Sequence, residues 1–401
     1  MKVMMLSDSY PPHIGGMEKH VSLLATELVH RKHDVTVFTI QHRQLPRIEN
    51  VDGVKITRSK GFFQRIPFLY SQQSTDIPPV QDLLITRNLK ELVAKERPDI
   101  IHVHGWLLFS LLPLMKRIHV PLVTSLHDYR FICPNQTLMS FGNVCTEPFT
   151  RKCLTCAGET YGPSKALFIY HSIKSKRTNL HSVDKFIAVS SFVKEVHSKH
   201  LGLENQEIVR IPNFLDIEEE TSCLKKSNLL PEDFVLFVGV LAPYKGVNVL
   251  VEAYDKIDTK TKLVLIGKKV QQGAYKSTQN VIIITDPSDD IVRQAYSQCS
   301  FVIVPSIWPD PCPTVAFEAM ASKKPIIASN MGGLVDIVMN KKTGLLVPPN
   351  DPSSLRIAIE QMICQSDMAR KMGEFGYQRM RSSFSAEVVV SKIEKLYESL
   401  V

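Results

Sequence analysis

Short apolar runs alternate with longer amphipathic stretches along most of the chain. In the first half the apolar runs predict strands at Lys2–Leu6, Asp34–Thr39, Asp99–His104, Pro121–Leu126, Asp184–Val189 and Ile208–Pro212. Most of these runs are apolar throughout, which is typical of parallel strands buried on both faces. Between the first two strands, apolar side chains fall on one face of a helix predicted from about Met17 to Arg31. This order of elements favours a doubly wound α/β domain.

The second half repeats the same arrangement. Its predicted strands are Phe234–Val238, Lys262–Ile266, Val281–Ile284, Phe301–Val304, Pro325–Ala328 and Gly344–Val347. A polar, acidic stretch at Leu215–Glu232 is the predicted linker. The 401 residues therefore predict two tandem Rossmann-like domains with parallel sheets, at 1–215 and 216–384. Ligands of such sheets bind at the carboxyl ends of the strands, so we expect an interdomain cleft lined by both sets.

Candidate binding residues of the first half follow its strands. Gly15 and Gly16 stand just before the predicted helix, where backbone amides can approach a phosphate. The alternative for this pair is a strand-to-helix turn that requires positive φ. His127 follows the strand ending at Leu126 and can hydrogen-bond a sugar hydroxyl or polarise a reaction centre. Its alternative is a pair with Asp128 that pins the loop.

The second half carries more of these residues. Gly239 and Lys245 lie between a strand and a helix, and the lysine can neutralise a departing diphosphate. The alternative is a solvated loop lysine. Asp310 is predicted in a loop and Glu318 one turn into the next helix, so both carboxylates can accept hydrogen bonds from sugar and ribose hydroxyls.

Backbone groups at two further helix starts complete the predicted site. The amides of Thr314 and Val315 open the helix that carries Glu318 and can bind phosphate. Gly332 and Gly333 follow the next strand and open another helix. Helix starts marked by glycine or proline after three strands of one domain are hard to explain as turns alone.

Taken in order, these motifs resemble the retaining glycosyltransferases of family four, which have the two-domain GT-B fold. The resemblance rests on the Gly15-Gly16 loop, His127, Ile211-Pro212-Asn213, Gly239 with Lys245-Gly246, Asp310-x7-Glu318, Gly332-Gly333 and Thr343–Pro348. It implies a nucleotide-sugar donor, UDP- or GDP-linked, on the second domain and a glycan or lipid-linked acceptor on the first. It also implies transfer with retained anomeric configuration and without a catalytic metal, in agreement with the lack of an Asp-x-Asp motif. His127, Lys245 and Asp310 become the expected catalytic residues, and helix 385–401 is expected to pack on the first domain.

The chain departs from this family pattern at three positions. Asp310 and Asp336 stand where the family usually has glutamate, which keeps the charge and shortens the reach. Val240 stands where the family usually has arginine, so Lys245 and backbone amides are left to carry the diphosphate charge. Two other functions stay open: a sugar-nucleotide epimerase on the same fold, and a catalytically degenerate sugar-nucleotide-binding protein.

Net charge is uneven along the chain. Residues 1–215 hold 27 Lys and Arg against 18 Asp and Glu, whereas residues 216–401 hold 21 against 22. The basic half favours an anionic acceptor, such as a lipid-linked or polysaccharide precursor, rather than a nucleic acid. The segment Lys60–Tyr70 mixes cations with aromatics, which fits either an anionic membrane surface or a loop with its aromatics packed inward.

Neither a signal peptide nor a membrane span is predicted. The longest apolar stretch, Trp106–Met115, is about half the length that a bilayer requires. We therefore expect a cytoplasmic protein that is at most peripheral on the cytosolic face of a membrane.

Cysteines are concentrated in one segment of the first half. Cys133, Cys145, Cys153 and Cys156 have the ligand chemistry of a structural zinc site, with the last two in a Cys-x-x-Cys pattern. Their spacing is not that of a standard zinc finger. A reduced thiol cluster and a Cys153–Cys156 disulfide are the alternatives.

Overall fold

The protein is described here by a computed structural model. It describes residues 1–13, 15–42, 45–65, 77–203, 207–216, 229–268 and 279–401, with the side chains of 176–179 also left out. Most of the predicted linker, and Ile66–Tyr70 of the basic aromatic segment, lie outside these residues. The chain divides into two compact units, Met1–Pro212 with Val389–Val401, and Asn213–Val388.

The first unit contains a mixed sheet with the strand order β10-β9-β6-β5-β1-β2-β4-β3. Its strands, with a separate small hairpin at β7 and β8, are β1 Lys2–Ser7, β2 Asp34–Ile40, β3 Ile48–Val51, β4 Val54–Ser59, β5 Ile100–His104, β6 Leu122–Leu126, β7 Met139–Ser140, β8 Asn143–Val144, β9 Lys185–Ala188 and β10 Ile208–Arg210. Its helices are α1 Gly16–His30, α2 Leu83–Glu96, α3 Leu108–Met115, α4 Lys152–Tyr161, α5 Pro163–Lys176 and α6 Ser191–Leu201. Every predicted strand of this half is present, with ends shifted by at most two residues.

The edge hairpin β3–β4 was not predicted from the apolar pattern. It is the antiparallel pair of an otherwise parallel sheet. Its turn residues Asp52 and Gly53 have φ of 51° and 83°. Asp-Gly is the preferred sequence of a two-residue hairpin turn with positive φ at both positions. The sequence therefore contains a hairpin-turn signal at Asp52-Gly53. The strand before it, β3, is largely exposed and lacks the apolar run that marks buried strands.

The second unit contains a parallel sheet with the order β13-β12-β11-β14-β15-β16. Its strands are β11 Phe234–Val238, β12 Lys262–Ile266, β13 Val281–Ile284, β14 Val302–Val304, β15 Ile326–Ser329 and β16 Gly344–Val347. Its helices are α7 Val247–Tyr254, α8 Asp289–Gln298, α9 Thr314–Ala321, α10 Leu334–Ile337, α11 Pro352–Cys364 and α12 Ser366–Ser383. Side chains from both faces of the central strands are buried, which confirms the doubly wound prediction.

The last helix, α13 Ala386–Glu398, begins in the second unit and continues into the first. Glu394 accepts hydrogen bonds from Arg31 at 2.6 Å and pairs with His33 at 2.8 Å. The buried Tyr397 hydroxyl lies 2.6 Å from His102 Nδ1. The end of the chain is thus part of the first unit's core. Among the described residues, no helix has the length and apolarity that crossing a bilayer requires.

Candidate active site

Three loops pack together at the carboxyl edge of the second sheet. They follow β11, β14 and β15, which are neighbours in the sheet. The carbonyl of Tyr244 accepts hydrogen bonds from the amides of Ile307 and Trp308, at 3.0 and 3.3 Å. The Gly333 amide donates to the Asp310 carbonyl at 2.7 Å. Parallel strands end at the same edge, so residues distant in sequence meet in one loop cluster.

Glycines in this cluster allow backbone to approach backbone. At Gly246, with φ of 78°, a Cβ would stand 1.8 Å from the Pro305 carbonyl oxygen. At Gly332, with φ of 57°, it would stand 2.6 Å from the Asp310 oxygen. At Gly333 it would stand 2.1 Å from the Pro311 oxygen. Gly332 and Gly333, which the sequence predicts as donor-binding residues, close one loop on another in this structure, and the Gly333 amide donates to the Asp310 carbonyl.

Lys245 and Asp310 form an ion pair within the loop cluster. Lys245 Nζ lies 2.5 Å from Asp310 Oδ2, and both side chains are largely buried, with 22% and 7% exposed. The same ammonium lies 4.9 Å from the centre of the Trp308 ring. Lys245 is therefore not a solvated loop lysine. Sequence reasoning assigned the two residues to separate parts of the donor and missed both their pairing and Trp308.

Glu318 lies one turn into α9, as predicted, and its Oε2 accepts a 2.8 Å hydrogen bond from the Tyr296 hydroxyl. Tyr296 is fully buried on α8 and was missed by sequence reasoning. Thr314 and Val315 open α9, and the preceding Pro313 provides no side-chain cap. The first amides of a helix have no acceptor within it, so this helix start can take an anion.

The loops after β11 and β12 also touch. Gly239 has φ of 150°, and a Cβ on Gly267 would stand 1.8 Å from the Gly239 carbonyl oxygen. Leu241 donates its amide to the Lys268 carbonyl at 2.8 Å. Lys268 thereby lies beside Val240, the position where the family's arginine is replaced. Its exposed side chain is a cation that sequence reasoning did not consider.

In the first unit, His127 belongs to a cluster of histidines. His127 Nε2 lies 2.9 Å from His104 Nδ1. One nitrogen each of His20, His104 and His127 lie within 4.8 Å of one another. His102 packs on His104 with ring centres 4.0 Å apart and bonds Ser125 Oγ at 2.8 Å. Sequence reasoning found only His127, although His102 and His104 alternate along β5 and so share a face.

Burial favours the neutral form of three of these histidines, namely His20, His102 and His104. Desolvation lowers the pKa of His20 and His104 well below the ordinary value, and neighbouring histidines lower it further. The same burial lowers the pKa of His102 to about 3. Each neutral ring has one donor and one acceptor nitrogen. The cluster can therefore orient His127 through hydrogen bonds without adding positive charge.

Asp128, next to His127, is held by Arg130. The Arg130 guanidinium donates to both oxygens of Asp128, at 2.7 to 3.0 Å, and to Asp8 at 2.7 Å. Asp8 in turn accepts the Trp106 amide at 2.7 Å. Asp128 thus pins the loop, while His127 itself pairs with the histidine cluster.

The Gly15-Gly16 pair does not form the positive-φ turn that was its alternative. Gly15 is the N-cap residue of α1 and has an extended φ of −165°. A Cβ added at Gly16 would meet no atom within 4 Å. A Cβ on Gly15, by contrast, would meet the Glu18 carboxylate, so the open space at this helix start lies beside Gly16 alone.

The four clustered cysteines are free thiols and line one cavity of about 150 Å³. The disulfide alternative for Cys153 and Cys156 is therefore not formed in this structure. Burial raises the pKa of Cys133 to about 11, and backbone hydrogen bonds from Leu138 and Asn135 act in the opposite direction.

Two doubly wound units, with a cation, two carboxylates and a helix start at one sheet edge, define a GT-B glycosyltransferase. Comparison with known families agrees. Residues 14–219 match Glycosyltransferase Family 4, and residues 221–379 match Glycosyl transferases group 1. The chain belongs to this family of glycosyltransferases.

Individual relatives and solved structures are similar over different lengths. An uncharacterized glycosyltransferase of Methanocaldococcus jannaschii is 33% identical over 247 residues, which are 59% of this chain and 66% of that one. The structure of sucrose-phosphate synthase from Thermosynechococcus elongatus matches with a TM-score of 0.74 at 21% identity, covering 100% and 99% of the two chains. HepE of Anabaena, in complex with UDP-glucose, matches with a TM-score of 0.68 at 16% identity over 100% of both chains. At these identities the two structures show the fold alone.

Proposed function

We propose that the protein transfers a hexosyl group from a UDP- or GDP-sugar to an acceptor hydroxyl, with retained anomeric configuration. The observation that carries the proposal is the largely buried Lys245–Asp310 pair in the loop cluster of the second unit. A lysine fixed at the carboxyl ends of parallel strands suits a leaving diphosphate.

Each donor group has a candidate partner in the second unit. Lys245 faces the diphosphate, together with the Thr314 and Val315 amides at the start of α9. Asp310 accepts hydroxyls of the sugar and Glu318 those of the ribose. The structural similarity to HepE with UDP-glucose makes a UDP-sugar the first donor to test.

Transition-state charge is the central element of the proposed mechanism. Breaking a glycosidic bond to a phosphate places negative charge on the leaving diphosphate and positive charge on the sugar. Lys245, released from Asp310 as the donor binds, stabilises the first of these charges. We assign this task to the lysine and helix amides rather than to a catalytic metal. We assign to His127 a hydrogen bond to a hydroxyl of the reacting sugar.

A basic cavity in the first unit supports an anionic acceptor. It has a volume of about 530 Å³ and is lined by Arg47, Arg58, Lys60 and Arg65 among others. Arg58 is buried and paired with Glu49 at 2.5 Å, whereas the other three cations are exposed. We therefore propose a phosphate-bearing acceptor, such as a lipid-linked or polysaccharide precursor, delivered by peripheral contact of this basic unit with an anionic membrane.

Donor identity is the first measurement. UDP-, GDP- and ADP-sugars are screened by thermal shift, because a ligand at 100 times its Kd stabilises by about 2.7 kcal/mol. The selected donor is then incubated with and without lipid-linked acceptors, and released nucleotide and product anomer are measured. Acceptor-dependent nucleotide release with retention is expected. Donor isomerised without nucleotide release indicates an epimerase, and binding without any conversion indicates a degenerate binding protein; either result overturns the proposal.

A further inference from the structure

Four cysteines from three segments of the first unit converge on one cavity. Cys133 follows β6, Cys145 follows the β7–β8 hairpin, and Cys153 and Cys156 lie one turn apart on α4. Cys133 and Cys153 are buried, and the other two are partly exposed. The loops around the cavity include four non-glycine residues with positive φ: Gln136, Leu138, Phe141 and Phe149. This conformation is costly, so something other than local preference must support it.

Hydrogen-bond donors are directed at the sulfurs. Backbone groups of Asn135 and Leu138 hydrogen-bond to the Cys133 sulfur. The Asn135 side-chain amide donates to Cys156 Sγ at 3.2 Å, and the Cys156 thiol donates to the Met139 carbonyl at 3.5 Å. Phe149 and Thr150 provide the equivalent backbone bonds to Cys153. Sulfurs that can accept such bonds suit a metal site, because metal ligands are held in place by hydrogen bonds from their surroundings.

We propose that Cys133, Cys145, Cys153 and Cys156 form a structural site for one Zn²⁺ ion. Four thiolates at about 2.3 Å satisfy the tetrahedral preference of this ion. No three of their sulfurs approach within 4.8 Å of one another in the described part of the chain. Binding therefore draws the partly exposed Cys145 and Cys156 inward, as expected where metal binding and local folding are coupled.

The site braces the segment that follows His127. Cys133 lies three residues after Arg130, which holds Asp128 and Asp8 together. A closed zinc site at the cavity ties α4 and the β7–β8 hairpin to this ion-pair network. Its role is thus to order the loop beside His127, with no part in bond breaking.

The experiment measures zinc in the full-length chain purified without chelator. Elemental analysis is expected to find about one zinc per chain, and Co²⁺ replacement is expected to show the absorption of cobalt–thiolate bonds. The Cys153→Ser, Cys156→Ser double variant is expected to lose the zinc. Cys364→Ser, an exposed cysteine of the second unit, is the matched control that keeps it. His104→Ala is also expected to keep it, since His20, His104 and His127 are the alternative ligand set.

A second measurement uses the native chain alone, so it does not depend on whether the cysteine variants fold. Thiol-reactive reagent is added to the native chain before and after zinc is removed, and zinc removal is expected to increase the number of reactive thiols by up to four. Stoichiometric zinc that survives the cysteine double variant and is lost in His104→Ala would overturn the proposal. The same holds for iron with acid-labile sulfide, or for a chain that binds no zinc on titration and whose thiols react equally throughout.

Discussion

In the proposed mechanism, the Lys245 ammonium pairs with two anions in turn. Asp310 holds it in the free protein, and a donor diphosphate has to replace that carboxylate. The exchange places the cation before bond breaking, so little reorganisation remains for the transition state. Because Val240 stands where the family usually has arginine, the proposal gives Lys245 a larger share of the diphosphate charge, with Lys268 as the adjacent exposed cation.

Lys245→Ala is expected to lower kcat by about 10² or more, the scale seen when one preorganised group is lost. Donor affinity should fall less, because the charge develops mainly in the transition state. Steady-state kinetics with the identified donor provide the measurement. Lys256→Ala, at an exposed lysine that lies just after α7 and pairs with Glu252, is the control. Wild-type turnover in Lys245→Ala would show that Lys245 does not stabilise the leaving group. The companion variant Val240→Arg, which restores the family's arginine, is expected to leave kcat unchanged or to raise it mildly.

Glu318→Ala is expected to weaken donor binding by about 1.5–3 kcal/mol, the value of a hydrogen bond to a charged group. The physical reason is the loss of a carboxylate that accepts ribose hydroxyls. Tyr296→Phe keeps that carboxylate but frees its orientation, so a smaller loss is expected. Calorimetry measures the donor Kd of both variants and of the wild type. An unchanged Kd in Glu318→Ala would place this residue outside the donor site.

At the scale of elements, the loop cluster depends on glycines that permit backbone contact. Gly246→Ala introduces a Cβ against the Pro305 carbonyl at a positive φ. We expect destabilisation by roughly 1–3 kcal/mol, which lowers the Tm of a unit of this size by about 2–10 °C. Gly16→Ala, where the added Cβ meets open space, is the control and should not lower the Tm. Calorimetric unfolding in which both variants behave alike would contradict the close approach at Gly246.

The last helix contributes to the first unit through one buried polar contact. Tyr397→Phe leaves His102 Nδ1 without its 2.6 Å partner in a fully buried position. An unsatisfied buried group costs about 1–3 kcal/mol, so the Tm of the first unit should fall. Tyr377→Phe, a partly exposed tyrosine of the second unit, should have little effect. Equal Tm values for the two variants would show that the Tyr397 bond adds no stability.

At the scale of the whole molecule, all 13 histidines lie between His13 and His200. Four of them, His20, His102, His104 and His197, are buried and have a lowered pKa. Burial lowers the pKa of His102 to about 3 and the pKa of His197 to about 4. The unfolded chain therefore binds protons below pH 6.5, whereas the folded histidines do not. The buried neutral histidines therefore contribute to the free energy of unfolding above pH 6.5, and this contribution is lost progressively as the pH falls toward 3. At pH 5 the loss is about 2 kcal/mol per histidine.

We therefore expect the calorimetric transition of the first unit to fall steeply between pH 7.5 and pH 5. The second unit contains no histidine and serves as the internal control. Its transition should move much less over the same range. Parallel shifts of both transitions, or none, would contradict neutral burial of the histidine cluster.

The sequence by itself determined the second sheet and six of the eight strands of the first, because buried parallel strands are marked by local apolar runs. Predicted and observed bounds coincide at β11, β12 and β13. It also placed Lys245 and Asp310 in loops after strands and Glu318 near the start of a helix. These positions follow from the order of predicted strands and helices along the chain. It did not reveal the hairpin of β3 and β4: β3 is largely exposed, and in β4 buried residues alternate with polar ones, so neither strand carries an apolar run.

Only the tertiary structure decided which of these residues meet. Strand order brings Lys245 to Asp310 across 65 positions, and the return of α13 brings Tyr397 to His102 across 295. Such contacts depend on the order of strands in the sheet and on helix packing. Neither is encoded in the local periodicity around either residue. The histidine cluster around His127 and the cavity shared by the four cysteines arise in the same way.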